Sequence, residues 1–65
     1  MKSVTILGAG ESGFGAAMLA RQKGLNVFVS DSNKINEDRK LEMIRNSIIF
    51  EEENHSFDKI KLSDY

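Results

Sequence analysis

The spacing of apolar positions changes several times along this chain, and each change marks an element. Val4, Thr5, Ile6 and Leu7 form a short β-branched and apolar run that stops at Gly8, the pattern of a buried strand. From Phe14 onward the apolar residues recur at helical spacing through Ala17, Met18 and Ala20, with Ser12 placed to cap the helix. Arg21 and Lys23 fall in its last turn, where cations suit the helix dipole, and Gly24 is a natural stop. Leu25 leads into Val27-Phe28-Val29, a second buried strand that ends at Ser30-Asp31. After the polar turn "DSNKIN", Asn36 caps a second helix over residues 37–46, with Glu37 and Asp38 in its first turn. Leu41 and Ile44 are its expected apolar stripe, with Met43 nearby. Ile48-Ile49-Phe50 reads as a third strand, "EEENH" as an acidic loop, and Ser56 as the opening of a short turn with Phe57 and Ile60 as packing residues.

Strand and helix therefore alternate, β-α-β-α-β, which predicts an α/β fold with a parallel sheet and right-handed crossovers, a Rossmann-like arrangement. Parallel sheets are normally covered on both faces, and three strands with two helices are too few for that. Residues 1–65 are thus expected to be one incomplete domain, the N-terminal segment of something longer.

Composition narrows the classes. A domain of 65 residues buries only roughly 60% of the surface its unfolded chain exposes. The chain has no cysteine and no proline, so neither a disulfide nor a thiolate metal site staples it. A net charge of −1, from 9 basic and 10 acidic residues, provides no general field for gripping nucleic acid or anionic lipid. No apolar run approaches the ~20 residues of a membrane span, and Met1-Lys2-Ser3 enters a strand without a signal-peptide core. A cytoplasmic chain with no membrane span and no nucleic-acid partner is the expectation.

The chemistry concentrates in one turn. Gly8-Ala9-Gly10-Glu11-Ser12-Gly13 fits G-x-G-x-x-G, follows a strand and opens a helix. Gly8 permits the tight exit from the strand, Gly10 lets a phosphate approach the backbone, and Gly13 lets helix and strand pack closely. The amides of the helix's first turn then face an anion. Asp31, at the carboxyl end of the second strand, is placed to accept hydrogen bonds from a ribose hydroxyl or a base N–H. The turn alone does not choose between a redox dinucleotide and another nucleotide. Glu11 beside it would repel a pyrophosphate unless its side chain points to solvent.

The longer run "ILGAGESGFGAAMLARQKGLNVFVSD", followed by a second helix and "IIFEEENH", resembles the start of the Mur ligases that add D-glutamate to UDP-N-acetylmuramoyl-L-alanine in peptidoglycan synthesis. The resemblance covers nearly all of the chain. It implies that the Rossmann-like domain holds the UDP end of a nucleotide-sugar substrate rather than NAD or FAD. It places Gly10, Glu11 and Ser12 at the diphosphate, through backbone N–H groups and the Ser12 hydroxyl, and Asp31 and Ser32 at the uracil. Asn33 matches a further contact position that is often basic in relatives. Glu53 and Asn54 precede His55 where relatives place a glycine, a second departure. The family's ATP-binding loop, Mg2+ ligands, carbamylated lysine and D-glutamate site belong to further domains. No G-x-x-x-x-G-K-[ST] occurs here, so this segment is expected to hold no cofactor, no metal and no catalytic residue of its own. In the full enzyme ATP would phosphorylate the substrate carboxylate, and the D-glutamate amine would attack the acyl phosphate.

The alternative is the N-terminal segment of an FAD- or NAD-dependent oxidoreductase. Gly13 followed by Ala17 suits that fingerprint too, whereas the prompt return to a third strand does not. Elsewhere, plain structural readings are preferred. His55, the single histidine, is read as a solvated loop residue. Glu51-Glu52-Glu53 is read as an exposed charge run, and Lys34, Arg39 and Lys40 as solvated positions. Met18 and Met43 are read as core residues.

Overall fold

The computed structural model describes residues 2–53. The elements follow in the expected order: β1 (Ser3–Leu7), α1 (Glu11–Gln22), β2 (Asn26–Ser30), α2 (Glu37–Arg45) and β3 (Ile49–Glu51). The strands form one parallel sheet in the order β1-β2-β3. The expected turn at Ser56, with Phe57 and Ile60, and the loop histidine His55 lie outside the described residues.

The register aligns Val4 with Val27 and Ile6 with Val29, and Val29 in turn with Phe50, so these side chains share one face of the sheet. Val27 and Val29 are buried there against Ala17 of α1 and Met43 of α2, together with Ala9, Ile35 and Ile48. Phe14, Met18 and Ala20 border the same core. Both helices therefore cover the same side, as two right-handed crossovers stepping in one direction require. Thr5, Phe28 and Ile49 align on the opposite face, where Leu7 and Ile49 stay exposed among the described residues.

Local chemistry explains where the helices begin and end. Asn36 caps α2, its Oδ1 accepting the amides of Asp38 and Arg39 at 2.9 and 3.2 Å. A cap of this kind is worth about 1 kcal/mol. At the end of α1, Gly24 has φ +84°, and its amide and that of Leu25 return to the carbonyls of Arg21 and Ala20. α2 closes the same way with Ser47 at φ +59°: the amides of Ser47 and Ile48 bond the carbonyls of Ile44 and Met43. These are paired helix-terminating bonds, and in the second the buried side chains Met43 and Ile48 supply the accompanying apolar contact.

Three sequence expectations are corrected. Ser12 does not cap α1; the helix starts earlier, with Gly10 as the cap and no side-chain cap bond, which leaves Ser12 inside the first turn. Leu41 and Ile44 are not the inward stripe of α2, being 54% and 62% exposed while Met43 is fully buried. The two are one turn apart and share a face, but it is Met43 that packs into the core with Val27, Val29 and Ile48, which leaves their face outward. The third strand also begins at Ile49, because Ile48 belongs to the helix terminus.

α1 rests closely against the end of β1. A Cβ placed on Gly13 would overlap the Gly8 carbonyl oxygen and lie 2.9 Å from its carbonyl carbon. Both obstacles are backbone and cannot swing aside. Gly15, two residues on, faces open space. Gly13→Ala is thus expected to destabilise the full chain by about 3 kcal/mol, whereas Gly15→Ala should stabilise it by about 0.5 to 1 kcal/mol. Thermal unfolding of both variants checks the pair; equal effects would contradict the packing.

Candidate functional site

The loops after β1, β2 and β3 meet at the carboxyl ends of the strands, the edge where open α/β sheets bind ligands. The first loop leaves β1 through Gly8, whose φ of +94° suits only glycine and whose amide donates to the Ser30 carbonyl at 2.7 Å. Ala9 is buried behind it. Gly10 is exposed, has φ −68°, and a Cβ there would meet nothing within 4 Å. No contact inside the protein demands glycine at 10, and the missing side chain leaves the backbone open to solvent. The first bond of the helix ladder runs from the Phe14 amide to the Gly10 carbonyl, so the amides of residues 11–13 precede it and carry the positive end of the helix. Glu11 and Ser12 are both exposed, which gives the Glu11 carboxylate room to turn away from that end.

Asp31 is a tie between two loops. Its Oδ2 accepts the amide of Ala9 at 2.7 Å, and its Oδ1 accepts the amide of Asn33 at 2.9 Å. One carboxylate thus fixes the glycine turn from behind and folds its own loop into an Asx turn. The sequence placed Asp31 beside the turn but missed this bond, which joins residues 22 positions apart. Ser32 and Asn33 follow on the surface, beside the turn that Asp31 anchors.

The third loop braces the second. The Asp31 amide donates to the Glu51 carbonyl, and the Glu53 amide to the Asn33 carbonyl, each at 3.1 Å. The Ser30 hydroxyl donates to Glu51 Oε2 at 2.7 Å. Glu52 Oε1 accepts the amide of buried Ile35 at 2.9 Å, and Oε2 pairs with Lys40 Nζ at 3.0 Å. Lys40 also meets Glu37 at 3.0 Å. The expected exposed run Glu51-Glu52-Glu53 is corrected accordingly: Glu51 and Glu52 are half-buried and engaged, and only Glu53 is exposed. Lys40 is no solvated position either, its side chain being 18% exposed. Arg39, also half-buried, sits 6.0 Å from the centre of the Phe14 ring and links α2 to α1. Among the described residues no three or more His, Asp or Glu side chains form a group suited to a metal ion, and no helix is long and apolar enough to cross a membrane.

This framework carries a sequence found in curated relatives. The chain is 55% identical over 53 residues to the UDP-N-acetylmuramoylalanine–D-glutamate ligase of Porphyromonas gingivalis, a match covering 82% of this chain and 12% of that protein. It is 48% identical over 59 residues to the ligase of the same name from Cytophaga hutchinsonii, covering 91% and 13%. The Bacteroides fragilis ligase matches at 44% over 64 residues, covering 98% and 14%. Over this length the chain belongs to the UDP-N-acetylmuramoylalanine–D-glutamate ligase family. It spans about an eighth of the length of these relatives. No family model matches the chain, and no solved structure matches it.

The charged brace at this edge responds to pH in a definite direction. The Ile35 amide, and after it Lys40, hold the Glu52 carboxyl below its ordinary value of 4.5. Glu37, and after it Glu52, hold the Lys40 ammonium above its ordinary value of 10.5. A carboxyl whose folded pKa is lowered contributes fully above its unfolded value and loses the contribution as pH falls through the folded one. A raised lysine contributes fully below its unfolded value and loses the contribution as pH rises through the folded one. The brace is therefore at full strength from pH 4.5 to 10.5. The Tm difference between wild type and Glu52→Gln should be flat across that window and shrink on either side. A difference that ignores pH would show that the ionic part of the brace contributes nothing.

Proposed function

We propose that this segment holds the UDP end of UDP-N-acetylmuramoyl-L-alanine in a cytoplasmic, ATP-dependent ligase that adds D-glutamate to it during peptidoglycan synthesis. The observation that carries the reading is the 55% identity over 53 residues to a ligase of that name. The site supports it. Gly10 and the amides at 11 and 12 offer the diphosphate an uncovered helix N-terminus, with the Ser12 hydroxyl beside them. Asp31, Ser32 and Asn33 lie on the neighbouring loop, where the uracil would rest, Asp31 having been matched to that contact by resemblance. The roles of these residues toward a ligand are this reading's own.

The segment's contribution is to bind and orient. No residue among the 65 forms an ATP-binding glycine-lysine loop, so ATP, Mg2+ and the D-glutamate amine are assigned to parts of the ligase beyond this stretch, and no chemical step is assigned to these side chains. The oxidoreductase alternative shares the glycine turn, but the relatives named above carry the ligase name.

Calorimetric titration of the full-length protein separates the two: UDP is expected to bind and NAD to give no heat, and tight NAD binding without a UDP response would reject the ligase reading. Within the site, Asp31→Ala removes the acceptor for two amides, whereas Asn33→Ala leaves the turn anchored. Asp31→Ala should weaken UDP about tenfold or more and Asn33→Ala less than about threefold. Equal or reversed losses would show that the base contacts are misplaced.

A further inference from the structure

The loop expected to meet the base does not hold its shape alone. Asp31 fixes its first half through Ala9 and Asn33. Its second half, residues 33–35, hangs on the loop after β3: Glu53 N–H bonds the Asn33 carbonyl, and the Glu52 carboxylate takes the Ile35 amide. Glu52 is itself held by Lys40, from the first turns of α2, so its Oε1 is aimed at Ile35 by a second contact on Oε2. Ile35 is buried in the core, which makes the carboxylate's grip on its amide a fixed reference point rather than a surface contact. Neither Glu52 nor Lys40 belongs to the glycine turn, whose only side-chain brace among these bonds is Asp31.

We infer that Glu52, held by Lys40, is a positioning residue for base discrimination: through the Ile35 amide it sets the backbone of residues 32–34 that faces the nucleotide base, without touching the nucleotide. The assignment rests on the uridine-nucleotide reading above. It divides the labour at the carboxyl edge. The turn at 8–13 grips phosphate whatever base is attached, and the clamp from β3 and α2 determines how well one pyrimidine is told from another. A loosened loop can still touch a base but no longer presents donors and acceptors at fixed places, so it loses selectivity faster than affinity.

The test is the ratio of UDP to CDP affinity in the full-length protein, measured by calorimetry. These probes share ribose and diphosphate and differ at the base edge. Wild type should prefer UDP. Glu52→Ala should weaken UDP about tenfold, CDP far less, and so narrow the ratio about tenfold. Glu52→Gln keeps an oxygen for Ile35 and should retain most of the ratio. Glu42→Gln, which removes an acidic partner of Arg45 on α2 away from the loop, should leave it unchanged. General weakening of the fold would lower both affinities together. If Glu52→Ala does not fold, Lys40→Met is read in its place, with a narrowing of about threefold expected. Wild type that prefers UDP while the variant weakens both ligands equally, or neither, overturns the positioning role alone. Wild type that binds UDP and CDP equally also overturns this assignment alone, whereas wild type that ignores UDP overturns the nucleotide reading and this assignment with it.

Discussion

The arrangement depends on one steric condition, the absence of a side chain at Gly13. Because nothing projects from that Cα, α1 can rest against the Gly8 carbonyl at the end of β1. This fixes the helix start at the carboxyl edge of the sheet, brings Ala17 over Val27 and Val29, and points the first-turn amides outward from the glycine turn. A bulkier residue at 13 would lift the helix, open the core and withdraw the amides from the edge together.

The remaining two glycines of the turn serve different masters. Gly8 is required by its backbone angle, a property of the protein alone. Gly10 is required by nothing in the protein, since its surroundings are empty and its φ is ordinary. A glycine that structure does not need, at the point where a phosphate would come closest to the backbone, is the feature of the turn that speaks most directly for a ligand.

What the sequence made legible was local. Gly24 and Asn36 announce a helix end and a helix start through neighbours three or four residues away, and both do what their chemistry suggests. The unbroken apolar run Val27-Phe28-Val29 identified the buried strand because it needs only consecutive residues. The errors lie where distant parts decide. Leu41 and Ile44 have helical spacing, but the face α2 buries is the one where Met43 packs on Val27 and Val29 of a strand far away in sequence, and its end is closed by serine taking a left-handed angle that glycine usually fills. Asp31 was located and its tie to Ala9 was not. Glu52 looked like one of three interchangeable acids until Ile35 and Lys40, 17 and 12 positions away, singled it out. Position in the glycine turn was readable; the scaffolding that holds its neighbours was not.

The bonds among the three loops also bear on motion. Ala9 to Asp31, Asp31 to Asn33, Asn33 to Glu53 and Ile35 to Glu52 form a continuous chain from the first loop to the third. Loops that share partners in this way cannot fray one at a time, because releasing any one strands a donor or acceptor on the next. The carboxyl edge should accordingly open as a single cooperative unit, closed or open on one timescale, rather than as three independent flexible segments.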